Sequence, residues 1–225
     1  MQHPFQPFGT SHLVVLALTA LLFVTMQLAA RTRFAAVVEK TLGTVLLLLF
    51  PATLAGHAWS GSLNAQTSLP LQYCDIASIS GGIALWTRRQ TFCEIVYYFG
   101  IAGTLQGLIT PALADDWPDP RFVMFFLLHG GVPVAALHVV TAMKHRPAPG
   151  AVVRMMGVSL SWYALTAIVN VLLGTNYAFQ CAKPDQASLF DKLGPWPWYN
   201  FSAIGLGLVF YSALHLPFAF NRRKA

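Results

Sequence analysis

Charge is what this sequence has least of. Only 10% of its 225 residues are Asp, Glu, Lys or Arg, against 56% hydrophobic, and the mean hydropathy is +0.56. Such a chain cannot cover itself with the ionised surface of a soluble globule, and the composition points to a protein whose solvent is mostly lipid. The basic residues stand scattered between long apolar runs without a continuous patch, which argues against nucleic acid as a partner. No phosphate-cradling loop is present. Cysteine is scarce as well. Cys74, Cys93 and Cys181 have no metal-finger spacing and are odd in number, so at least one thiol is expected to be free. No metal and no cofactor are expected. Met1 to His12 carries no Lys or Arg, and Arg31 and Arg33 follow the first apolar run in place of a small-residue cleavage site, so a removable signal peptide is not expected.

What is there is a series of apolar segments near the ~20 residues a bilayer requires. Seven can be counted, at about 11–30, 35–57, 71–87, 91–113, 121–143, 151–174 and 199–220. The fold class expected is therefore all-α, a polytopic seven-helix membrane bundle forming a single domain over 1–225. The third segment is the most diluted, by Cys74, Asp75 and the small residues Ser78, Ser80, Gly81 and Gly82, which suit close helix packing. Eleven positive residues collect at alternate segment ends, near Arg31/Arg33/Lys40, Arg88/Arg89, Lys144/Arg146/Arg154 and Arg222/Arg223/Lys224, whereas the opposite ends hold only Arg121, Lys183 and Lys192. The positive-inside rule then predicts an outside N-terminus and a cytoplasmic C-terminus in the cell membrane.

This orientation sorts the polar residues by depth. Cys74 and Asp75 lie about one turn below the outer entrance of segment three, and His129 lies roughly 12 Å below that of segment five. His12, His57, Gln106, Thr110, Asn170, Asn176 and Tyr177 also fall in the outer half. Glu39, Lys40, Glu94, Lys144, His145 and His215, on the other side, read as interface charges and helix ends, with no second constellation. The connection 175–198, punctuated by Pro and Trp, reads as a lid or rim.

Cys74 is chemically the most pointed residue. Cysteine is often simply a small buried hydrophobe, but a thiolate formed by a neighbouring base is a nucleophile, and His129 is a candidate for that base. Asp75 orients a histidine or takes a structural hydrogen bond that makes its burial tolerable. A Cys74–Cys181 disulfide is the other reading of the outer thiols.

The residues Leu69-Pro70-Leu71-Gln72-Tyr73-Cys74-Asp75, Tyr98-Phe99-Gly100, Gly103-Thr104-Leu105-Gln106, Thr110-Pro111, His129-Gly130, Gly174-Thr175-Asn176-Tyr177 and Leu193-Gly194-Pro195-Trp196-Pro197-Trp198-Tyr199 together resemble the YwaF-type bacterial integral membrane proteins, over nearly the whole chain. That family is similar to the transmembrane protein 164 acyltransferases, which move fatty acyl groups between phospholipids and lyso ether lipids using an essential cysteine and histidine. The resemblance implies Cys74 and His129 as the catalytic pair, phospholipid and lysophospholipid as substrates, and an extracytoplasmic site. Asp75, Gln106, Thr110, Asn176 and Tyr177 are candidate supporting or substrate-binding residues. A small-solute transporter or a non-catalytic lipid-binding membrane protein is the alternative.

Overall fold

The computed structural model describes residues 4–184 and 188–221. Among them every long element is helical: α1 (Thr10–Ala29), α2 (Ala35–Trp59), α3 (Tyr73–Thr87), α4 (Gln90–Ile109), α5 (Pro120–Thr141), α6 (Ala151–Leu173) and α7 (Trp198–Asn221). Six of these are long and apolar enough to cross a membrane; α3 is the exception. Its fifteen residues reach about 22 Å, short of the ~30 Å of a hydrocarbon core.

The helix ends follow from local chemistry. Asp75 accepts the Gln72 N–H at 3.0 Å, which starts α3 two residues later than the expected segment. A two-residue connection, with Arg88 in the left-handed region and Arg89 extended, turns the chain directly into α4. Helix α4 stops at Ile109 instead of continuing to 113, because Pro111 follows and disfavours helical backbone at Thr110. Asp119 accepts the Arg121 N–H at 2.8 Å and Pro120 opens α5. Gly150 and Gly174, both at positive φ, bracket α6.

The helices run alternately up and down. Ser11 at the start of α1 bonds Asp116 beyond the end of α4, while Thr141 at the end of α5 bonds Gln27 at the end of α1. One end of the bundle therefore gathers the long connections before α3, after α4 and after α6. The other end gathers the short ones, with Arg31, Arg33, Arg88, Arg89, Lys144 and Arg146. These are called the loop end and the basic end below.

Helix α3 is central, packed between α2, α4 and α5. Small residues permit this. A Cβ on Gly82 would lie 2.7 Å from the Gly43 carbonyl oxygen, and one on Gly81 would meet Val96 at 3.0 Å and Leu46 at 3.2 Å. Leu46, Leu85, Val96, Tyr98, Val132 and Val139 complete this core. Helices α6 and α7 join it through Ala151, Met155 and Tyr211 and turn large apolar faces outward, Val171 being 84% and Leu172 75% exposed. Lipid is the solvent that such a surface suits.

Candidate functional site

Cys74 sits in the first turn of α3, half-buried. Cys74 and Cys181 are both free thiols. The backbone leading into Cys74 is held from several directions. The Tyr177 hydroxyl accepts the Leu69 N–H at 2.9 Å and donates to the Ala65 carbonyl at 2.6 Å. The Ala178 N–H donates to Gln72 Oε1, the Trp162 indole N–H to the Leu71 carbonyl, and the Tyr73 hydroxyl to the Ser159 carbonyl. Burial pushes the Tyr177 phenol up from its ordinary value, which keeps its proton on oxygen for the bond to Ala65.

His129 lies in the third turn of α5, half-buried and stacked on Phe125 with ring centroids 3.9 Å apart. Its Nδ1 is 2.8 Å from the Phe125 carbonyl oxygen. A carbonyl only accepts, so Nδ1 carries the hydrogen, and the neutral ring presents Nε2 as a bare acceptor. That nitrogen faces α4 at Gly107, where a Cβ would stand 2.8 Å away. Gly107 follows a π turn, Gly100–Thr104, whose first residue also faces α5, at Val132 and Ala136. Such wide turns recur at functional sites. Beside Gly103 there is open space.

Cys74 and His129 are not hydrogen-bonded, but helix geometry relates them. A Cβ on Gly81 of α3 would lie 3.8 Å from Ala135 Cβ of α5, and both helices start from the loop end. Seven residues back along each, about 10 Å by the helical rise, Cys74 is level with Leu128, the neighbour of His129. Seven residues are also nearly two full turns, so Cys74 shares the face of α3 on which Gly81 meets α4 and α5. His129 shares the face of α5 on which Val132 and Ala136 meet α4.

The other predicted residues divide. Asp75 bonds the Gln72 N–H through Oδ2, the structural option of its two readings, and its side chain also lines a cavity of about 130 Å³ with Ser78, Met124 and Leu128. Gln106 has a side-chain amide with no hydrogen-bond partner among the described residues, and Thr110 donates back to the Gln106 carbonyl at 2.9 Å. Asn176 is occupied within its own loop, accepting from Cys181 N–H and Ala182 N–H and donating to the Ala182 carbonyl. Tyr177 pins the segment before α3. The expected lid is thus a packed cover over the loop end, tied down further by Tyr199 on Phe179 and Trp196 on Gln180. Residues 185–187 of it lie outside the described residues, as do Arg222, Arg223 and Lys224 of the basic cluster.

The basic end corrects one expectation. Glu39 and Glu94, read as interface charges, are 4% and 1% exposed. Glu39 pairs with Arg88 at 2.6 Å and accepts from His138 Nε2 at 3.1 Å, while Gln27 reaches His138 Nδ1 at 3.5 Å. Glu94 takes Arg154 on both oxygens and accepts from Gln90 and the Ala148 N–H. Two buried polar clusters therefore exist where none was expected. A carboxylate inside an apolar helix was the available signal. His12 is likewise fully buried, accepting from the Phe8 N–H and donating to the Leu108 carbonyl.

The sequence profile of the TMEM164 family matches residues 7–215, a stretch that includes α1 to α6 and most of α7. No curated protein and no solved structure matches the chain. An all-helical chain with six helices long and apolar enough to cross a membrane, it belongs to the TMEM164 family.

Proposed function

We propose that the protein is a phospholipid acyltransferase, with water as the competing acceptor, in which Cys74 is the nucleophile and His129 the general base and then acid. The observation that carries this reading is the tautomer imposed on His129. Phe125 fixes the hydrogen on Nδ1, so Nε2 is free to take the thiol proton, in the role that a carboxylate enforces in other triads. The common level of Cys74 and His129 on faces turned toward α4 supports it further.

The thiolate attacks a lipid ester carbonyl. His129 returns the proton to the departing lysophospholipid oxygen, leaving an acyl group on Sγ. An acceptor hydroxyl then attacks the thioester: C–O forms, C–S breaks, and its proton passes through Nε2 back to sulfur. The unpartnered Gln106 amide is the proposed donor to the carbonyl oxygen, and Thr110 fixes the end of its helix. Asn176 and Tyr177 act at one remove, by holding the loop that holds the α3 entrance. In this reading α3, sheltered by its neighbours, completes seven crossings in the cell membrane, with the basic end cytoplasmic by the positive-inside rule and the chemistry in the extracytoplasmic half.

Purified protein incubated with an alkyne-tagged phospholipid should acquire a hydroxylamine-sensitive label on the wild type and none on Cys74→Ala. An unlabelled wild type, or equal labelling of the variant, rules the mechanism out. Solute flux in proteoliposomes that survives Cys74→Ala and His129→Ala would favour a transporter instead.

A further inference from the structure

The cavity beside Asp75 has an unusual hydrogen-bond inventory. The Thr53 hydroxyl donates to the Leu49 carbonyl at 2.9 Å, Thr67 to Asn64 Oδ1 at 3.1 Å, and Ser78 to the Leu46 carbonyl at 3.0 Å. Each of these hydroxyls has its hydrogen turned into the protein and only lone pairs left for the cavity. Asp75 uses Oδ2 for the Gln72 N–H, and Oδ1 has no partner among the described residues. The wall therefore offers four acceptors, one of them a carboxylate oxygen, beside one hydroxyl donor, Ser68, whose oxygen accepts the Asn64 N–H at 3.2 Å. The Gln72 amide NH2, whose Oε1 already accepts from Ala178, is a donor at the margin.

A volume of about 130 Å³ accommodates a small polar group, on the scale of about four waters at ~30 Å³ each. It does not accommodate an acyl chain. An ester carbonyl has no hydrogen to give and would meet only the Ser68 hydroxyl and the marginal Gln72 amide as donors, leaving the other four oxygens unserved. We infer that this cavity is the headgroup subsite of the lipid, selecting headgroups that donate hydrogen bonds, with Asp75 Oδ1 and the Thr53 and Ser78 oxygens as acceptors. A primary ammonium and a glycerol hydroxyl share that chemistry, whereas a quaternary ammonium and a bare phosphate monoester tip do not. The Gln72 amide is placed at the margin for a phosphodiester oxygen. This subsite rests on the reading of Cys74 as the acyl-accepting group only for its catalytic meaning, since the cavity borders the same turn of α3.

The test is binding. The purified protein is given an equimolar mixture of phosphatidylcholine, phosphatidylethanolamine, phosphatidylglycerol and phosphatidic acid with identical acyl chains, and bound lipids are counted by native mass spectrometry. Ethanolamine and glycerol lipids should be retained about fivefold over the other two, and the difference between those two tells an ammonium from a hydroxyl as the preferred donor. Asp75→Asn keeps an oxygen for the Gln72 N–H, and Thr53→Val leaves α3 untouched; both should bring the ratio toward one without loss of total lipid or of melting temperature. No preference in the wild type, or a preference intact in both variants, overturns the subsite. A preference that the variants abolish, in a protein that never forms a thioester, leaves the subsite standing and removes the acyl-transfer reading.

Discussion

The imidazole of His129 rests on the bare backbone of Gly107: a Cβ at that position would stand 2.8 Å from Nε2. No side chain larger than hydrogen fits between the two helices there. The nitrogen that the proposed mechanism needs is therefore located by a residue with no chemistry of its own.

Gly107→Ala should move the ring off this seat. A displacement on the order of 1 Å at a catalytic group costs about a hundredfold in rate, so thioester labelling should fall by about that factor. Meanwhile the melting temperature in detergent should change little, because alanine favours the helix by roughly 0.5–1 kcal/mol and offsets part of the crowding. Unchanged labelling would show that Nε2 is not the base.

Tyr177→Phe removes two of the hydrogen bonds that join the cover to the segment before α3, those to Ala65 and to Leu69. With a part-buried carbonyl and a part-buried N–H left to find water, the expected loss of stability is about 1 kcal/mol. Labelling of Cys74 should slow without disappearing. Thermal melts and label time courses on the same preparation check the two effects together.

The Glu94–Arg154 pair offers a non-additive test. Arg154→Met alone leaves a carboxylate 1% exposed without its counter-ion, though still bonded by Gln90 and the Ala148 N–H, an expected cost of about 1–3 kcal/mol. Arg154→Met combined with Glu94→Gln should recover a large part of that loss, since the uncompensated charge is gone. A double variant no more stable than the single one would contradict the pairing.

Two glycines predict opposite signs. A Cβ at Gly82 would sit 2.5 Å from Leu47 Cγ and 2.7 Å from the Gly43 carbonyl oxygen, so Gly82→Ala should destabilise by about 1–3 kcal/mol through overpacking of α2 against α3. Nothing lies within 4 Å of a Cβ at Gly157 in α6, and Gly157→Ala should stabilise by roughly 0.5–1 kcal/mol. Melting temperatures of the two variants in one detergent suffice.

Hydropathy made the helices legible in the sequence, because a lipid solvent demands length and apolarity over each crossing. Six of the seven expected segments correspond to helices long and apolar enough to span, with ends moved by one to four residues where Pro111 or Gly174 governs the local backbone. Cys74 and His129 were legible as unusual residues at comparable depth. The relations that decide their chemistry were not. The Phe125 carbonyl and the Gly107 backbone are main-chain features with no sequence mark, and the π turn depends on how α4 settles against α5. The Glu39 cluster draws on α1, α2 and α5, and the Glu94 cluster on α4, α6 and the connection before α6, so each partner viewed along the chain alone resembles an ordinary interface charge. Asn176 and Tyr177 stand out in the sequence for their motif, but their bonds go to loop backbone, which only the folded chain reveals.

The paired buried carboxylates among the described residues, Glu39 and Glu94, lie at the basic end, and the residues proposed to meet lipid lie at the other, about the length of a helix away. Mutations at the two ends should therefore have different signatures. A change near Glu39 or Glu94 would reduce how many molecules reach the membrane folded while leaving each survivor as fast as before. A change near Cys74, Asp75 or Gly107 would leave the population intact and alter what each molecule accepts. Variation in headgroup preference among relatives of this chain can then accumulate at one end without eroding the yield set by the other.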